Sequence, residues 1–359
     1  MSISERTFLV LLVLLVLATL TDAATQQFDK FLPNWDPVIQ SILQDNCTEQ
    51  LAAYRTGEVN TTLGLSSLVT PVINCILTNT PEFRKVEMAA SAVVLGLTPS
   101  ILQPLASTTG ELALLSLRRP ILAFLLGAGS PIVSPTRLME FEDPAKLLMG
   151  QRRKRLAGGS FPQRWFLISA IQYVLACGCI ANVGILAYEL GVHAAVMFSP
   201  ESVYLVALWS ALVAVAHAGW FLGLRLRVRV FGEGSVVEPG VLAFTGQQAP
   251  KRPAMLPDWI RDEVMPSAYN RCVSFDYSHD TGLFKALSRV VLWLVSVGHV
   301  FLVLYGTLVC SSLLFFSVID SLVIVSRYFL SAVICRLIFL YELAGMEAIP
   351  VESQESKGG

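Results

Sequence analysis

Five stretches of this chain are each about 20 or more residues long and mostly apolar, and no other feature restricts the fold so severely. They run from Met88 to Ser107, Trp165 to Tyr188, Val203 to Leu224, Val290 to Ser311 and Leu313 to Tyr341. In hydrocarbon every backbone N–H and C=O must find a partner inside the protein, and an isolated run of this length meets that demand only as an α-helix. The expected fold class is all-α, a multi-pass transmembrane helical bundle of about five spans. Composition agrees, since charged residues make up 15% of the 359, against roughly 25% in soluble domains. The fifth stretch contains Asp320, Arg327 and Arg336, so an amphipathic helix in the membrane interface is its alternative reading. A sixth run, Pro120 to Val133, has only fourteen residues and contains Gly127, Gly129 and Pro131; a re-entrant or interfacial segment is expected there.

Arg6, the apolar run Phe8 to Leu20 and the small residues around Ala23 have the layout of a cleaved signal peptide over residues 1–23. Residues 24–87 then form a small helical head, expected to be luminal or extracellular. Asn46-Cys47-Thr48 and Asn60-Thr61-Thr62 are acceptor sequons for N-glycosylation at Asn46 and Asn60. Cys47 and Cys75 are the head's two cysteines, and an oxidising lumen favours a disulfide between them. Val38, Ile39, Ile42 and Leu43, and then Leu65 to Ile76, recur at three- and four-residue steps, which predicts two amphipathic helices.

The placement of Lys and Arg orients the spans. Arg118 and Arg119 follow the first; Lys146 and Arg152, Arg153, Lys154 and Arg155 precede the second; Arg225, Arg227 and Arg229 follow the third; Lys285 and Arg289 precede the fourth. If 120–133 does not cross, all of these lie on one side, which the signal peptide makes the cytosol. Arg84 and Lys85 are the exception. The carboxyl terminus is then cytosolic, in a polar tail 342–359. Trp165, Trp209, Trp293, Tyr188, Tyr204 and Tyr341 fall near span ends, as an aromatic belt requires. The loop 108–164 holds the basic run Arg152 to Arg155, which suits anionic lipid as well as topology. The loop 225–289 is broken by five prolines between Pro239 and Pro266 and is read as strand or turn fragments with one short helix near 257–264.

A net charge of −1 removes the basic excess that nucleic-acid binding needs. No phosphate loop, dinucleotide fingerprint, nucleophile elbow or zinc-protease motif is present, so no catalytic residue, cofactor or metal site is assigned. Cys177-Gly178-Cys179 sits mid-span and is read as packing. Gln172, His217 and His299 lie at a common depth of roughly 10–14 Å from one boundary, and an intramembrane polar cluster is expected of them.

At Leu115–Pro131 (LSLRRPILAFLLGAGSP) and Arg327–Met346 (RYFLSAVICRLIFLYELAGM) the chain resembles an uncharacterised group of fungal multi-pass membrane proteins with a signal peptide and a small extracytoplasmic head. That resemblance implies membrane residence and no particular reaction. The expected function is a non-enzymatic scaffold or receptor-like module with the lipid bilayer and other proteins as partners. A transporter or channel built on the polar cluster is the alternative. Single cysteines placed at Arg118 and Arg152 should both be protected from an impermeant thiol reagent in intact cells; labelling of one alone would break the five-span count.

Overall fold

The computed structural model describes residues 27–57, 68–132, 165–226, 229–232, 263–267, 273–276 and 282–345. It is almost entirely helical. Five helices are long and apolar enough to cross a membrane: Glu82–Leu105 (its last turn a 3-10 turn), Phe166–Val192, Leu205–Leu224, Ala286–Ser311 and Val318–Ala344. These make the chain an integral membrane protein of the all-α class. The expected signal peptide (1–23), Asn60, the run Arg152 to Arg155 and the tail beyond Gly345 lie outside the described residues.

The chain divides into two compact units. The first comprises Met1–Leu102, Asn182–Ala211 and Leu302–Phe329. Its head holds three helices rather than the two expected: α1 (Asp36–Asp45), α2 (Thr48–Thr56) and α3 (Val69–Asn79). Pro at the start of α1 suits a first turn whose N–H groups have no helical acceptor, and the Asp36 carboxylate accepts from the Phe31 N–H at 2.7 Å. Gly57 ends α2 in the left-handed region, at φ 75°, where a side chain would be strained. Pro81 stops α3, while the Thr80 hydroxyl bonds back to the Ile76 carbonyl.

The buried faces of these helices meet in one core of Phe28, Trp35, Ile39, Leu43, Val72 and Ile76, and Cys47 and Cys75 are bridged at its edge. The same core takes in Met88 from α4 (Glu82–Leu102) and reaches two connections between long helices. One carries β1 (Ala195–Val196), the other β4 (Leu313–Leu314), and the two pair antiparallel. Phe315 follows β4 with φ 72°, a conformation unusual for a residue with a Cβ. Its ring is fully buried edge-on against Phe31, with centroids 5.7 Å apart, and this packing holds the backbone there. Arg84, the exception to the charge rule, stacks over Trp35 and pairs with Glu87.

The second unit comprises Gln103–Ala181, Leu212–Phe301 and Leu330–Gly359. Thr108 and Glu111 close a capping box around the start of α5 (Thr109–Ser116), and Leu117–Arg119 then breaks the chain before α6 (Pro120–Gly129). These short helices pack against α7 (Trp165–Val192) and α10 (Val318–Gly345) through Leu115, Leu122, Leu126, Ala176, Cys179 and Phe339. At the last turn of α6 Gly129 is required, because a Cβ there would stand 2.9 Å from Cys179 Cβ and 3.2 Å from Cys335 Sγ. Helices α8 (Leu205–Arg225) and α9 (Gly282–Ser311) meet over glycine in the same unit, with Gly219 against Val295 and Gly223 against Leu292. Of the loop expected at 225–289, the described backbone gives an antiparallel pair, β2 (Arg229–Gly232) with β3 (Val273–Asp276).

One element of the aromatic belt is misplaced by the sequence reading. Trp293, Tyr188 and Tyr204 are well exposed, but Trp209 is buried against Gly306 and Tyr328. With its cysteines 28 positions apart, the head disulfide should contribute about 3–4 kcal/mol by restricting the unfolded chain. Replacing Cys47 and Cys75 by Ala together should lower the head's unfolding temperature. A reductant should bring wild type to the same value in a thermal scan.

Candidate functional site

Charged side chains in a membrane-spanning segment are costly unless they are paired, so their partners show where the chain has concentrated polar chemistry. Arg119, in the break before α6, is completely buried. All three of its guanidinium nitrogens donate: Nε to the Glu263 carbonyl at 2.7 Å, Nη1 to Gln172 Oε1 and Glu342 Oε1 at 2.8 Å each, and Nη2 to Ser169 Oγ at 2.7 Å. Glu342, on α10, is equally buried, and both of its oxygens accept. Its Oε1 also accepts from Gln172 Nε2 at 2.7 Å, and its Oε2 accepts from the Ser267 N–H at 3.0 Å and the Ser267 hydroxyl at 2.7 Å.

A second carboxyl joins this group. Glu263 places Oε1 where the Leu122 N–H, at 2.9 Å, and the Tyr173 hydroxyl both donate to it. It thus supplies the start of α6 with a cap that Arg119, at the N-cap position, does not provide. The arginine face also lies 5.6 Å from the Tyr173 ring centroid. Glu263 stands outside the membrane-length helices, and burial raises its carboxyl above the usual range against the lowering effect of these donors.

Two further pairs lie on α10. Arg336 bonds Glu111, whose carboxylate is also the capping-box acceptor of α5, and stacks over Phe339. In the first unit Arg327 donates to Glu189 at 2.7 Å and to Asn182 at 3.0 Å. Asp320 is engaged elsewhere, taking Ser317 at the start of α10 and Asn34 of the head at 2.8 Å. Asp320 and Arg327, on the same helix, therefore serve different partners.

The expected cluster of Gln172, His217 and His299 resolves into two places. Gln172 belongs to the Arg119 group. His217 and His299 are neighbours across the α8/α9 seam, both buried, with the His217 ring packed on Gly127 of α6. Neither ring nitrogen of His217 has a protein partner among the described residues. Asn46 is exposed, with its amide 2.8 Å from Asn79 Oδ1. Among the described residues no group of three or more His, Cys, Asp or Glu could hold a metal ion.

By sequence alone Arg119 stands with Arg118 among the basic residues that orient the spans, and the last apolar stretch ends at Tyr341, one residue before Glu342. The available signal was the position of Arg119 directly before the apolar run that begins at Pro120. No protein family matches the chain, and neither does any curated protein or solved structure.

Removing one member of a buried pair strands the other. Arg119→Met alone should cost about 3–5 kcal/mol, whereas Arg119→Met with Glu342→Leu should recover most of that loss. Denaturant titration of the two variants in detergent micelles measures the difference.

Proposed function

We propose that the chain is a non-enzymatic membrane protein of the secretory pathway or cell surface, a scaffold or receptor-like module that presents its disulfide-bonded head outside the cytosol. The observation that carries this reading is the way the head is attached. Its core runs without interruption into Ala195 and Phe315 of two inter-helix connections, and Asn34 and Gln27 add hydrogen bonds to Asp320 and to the Pro200 carbonyl. A head fixed in this way is a stiff platform, suited to holding a partner at a defined place. The buried pairing of Arg119 with Glu342 supports the same reading, since it uses these charges to fix helices.

The extracytoplasmic placement of the head draws support from the Cys47–Cys75 bridge, the exposed Asn46 and the bias of Lys and Arg to the opposite side. A transporter or channel is the second reading, favoured by α6, a half-length helix that ends near the buried imidazole of His217.

Protein made in secretory cells should shift in mobility on glycosidase treatment, and the shift should vanish when Asn46→Gln and Asn60→Gln are combined. Stable partners recovered through the intact head, without substrate-dependent flux in reconstituted vesicles, are expected. Flux that is lost in His217→Ala while the protein stays folded would reverse the order of the two readings.

A further inference from the structure

Arg119 and Glu342 neutralise one another, and both are sealed from water. Glu263 is a third ionisable group in the same enclosure, exposed over only 5% of its surface, and it has no cation of its own. If ionised it would leave a net negative charge among groups that cannot rearrange to solvate it. Its hydrogen bonds are also lopsided. Oε1 takes both donors, the Leu122 N–H and the Tyr173 hydroxyl, while Oε2 is buried with no partner among the described residues. A carboxylate shares charge between its oxygens and draws donors to both. A neutral acid has one carbonyl oxygen that accepts and one hydroxyl, and an unpaired hydroxyl costs less when buried than an unpaired anionic oxygen.

The described residues around Glu263, 263–267, form a short strap hydrogen-bonded to both members of the ion pair. The Glu263 carbonyl takes Arg119 Nε, and Ser267 supplies two of the four donors to Glu342. The charged and titratable groups facing Glu263 are Arg119 at the α6 break and Tyr173 on α7, with Glu342 on α10 reached through Ser267.

We propose that the strap is a proton-operated latch, docked while Glu263 holds a proton on Oε2 and released when it gives that proton to water. Release transfers no other group. The proton goes to solvent, the carboxylate leaves the start of α6 to be hydrated, and Arg119 and Glu342 each lose strap partners. The sign follows from burial. Docking raises the acid above its free value, so the docked state is favoured fully below the free carboxyl range, weakens by up to about tenfold for each pH unit between the free and the docked values, and levels off above the docked value. The latch therefore closes in acid and opens toward neutral and alkaline pH. It is independent of whether the chain is a scaffold or a transporter.

The test is hydrogen–deuterium exchange of the full-length protein in lipid nanodiscs, reading protection factors in peptides that cover Glu263–Ser267 between about pH 5 and pH 9. Wild type should lose at least about tenfold of its protection as pH rises, while peptides from the centre of α7 keep theirs. Glu263→Gln, which keeps the shape and neutrality of the acid, should remain protected at every pH. Glu263→Ala should be unprotected at every pH. Protection in wild type that does not change with pH, release in Glu263→Gln, or retention in Glu263→Ala would each overturn the latch.

Discussion

A guanidinium taken out of water has five N–H bonds to satisfy, and the arrangement around Arg119 is organised by that requirement. Ser169 and Gln172 stand one turn apart on α7, so one face of that helix addresses the arginine twice. Glu342 must come from α10, because a carboxylate is needed and α7 supplies none at that level. The carbonyl for Nε comes from Glu263, which is why a segment of an otherwise proline-broken connection is held against the helices at all. Once these directions are fixed, the rest of α6 has little freedom. It runs beside α7 from Ser169 and Gln172 toward Ala176 and Cys179, about 10 Å of common path, and Gly129 at its end allows the close approach that this path demands.

The parts of this fold legible in the sequence are those governed by length and periodicity. Five long apolar runs give five long helices, because the penalty for an unpaired peptide group in lipid leaves no alternative. The bridge from Cys47 to Cys75 was legible for a similar reason, since two cysteines in a short head offer one pairing. Polar partners were harder to read because the partners of a buried charge lie far apart in the chain. Arg119 looks like any flanking arginine until Glu342 is known to face it, and Glu342 looks like the start of a polar tail. Gln172, read with the histidines by depth, in fact responds to the nearer demand of a charged group. Trp209 shows the same limit. A tryptophan near a helix end suits the interface by type, but Gly306 opposite it leaves a space for the indole, and no pattern within one helix reveals that.

In the first unit aromatic packing does the work that ion pairs do in the second. Phe31, Trp35 and Phe315 are large, rigid and buried, and together they fix the short β1–β4 ladder against the head. The unusual backbone at Phe315 is tolerated because burial of the ring, at about 1.5–3 kcal/mol, is of the same size as the main-chain strain of about 1–3 kcal/mol and offsets it.

The two pairs that bind α5 and α6 to α10 join residues 223 and 225 positions apart. A ribosome makes the chain from its amino end, so Arg119 and Glu111 emerge long before Glu342 and Arg336 exist. Until then each lacks the counter-ion that it has in the folded chain, and an unpaired charge disfavours settling an apolar run in lipid. The last helix is therefore the one whose arrival commits the earlier ones, and a chain cut short before α10 would present an unanswered arginine to whatever inspects new membrane proteins.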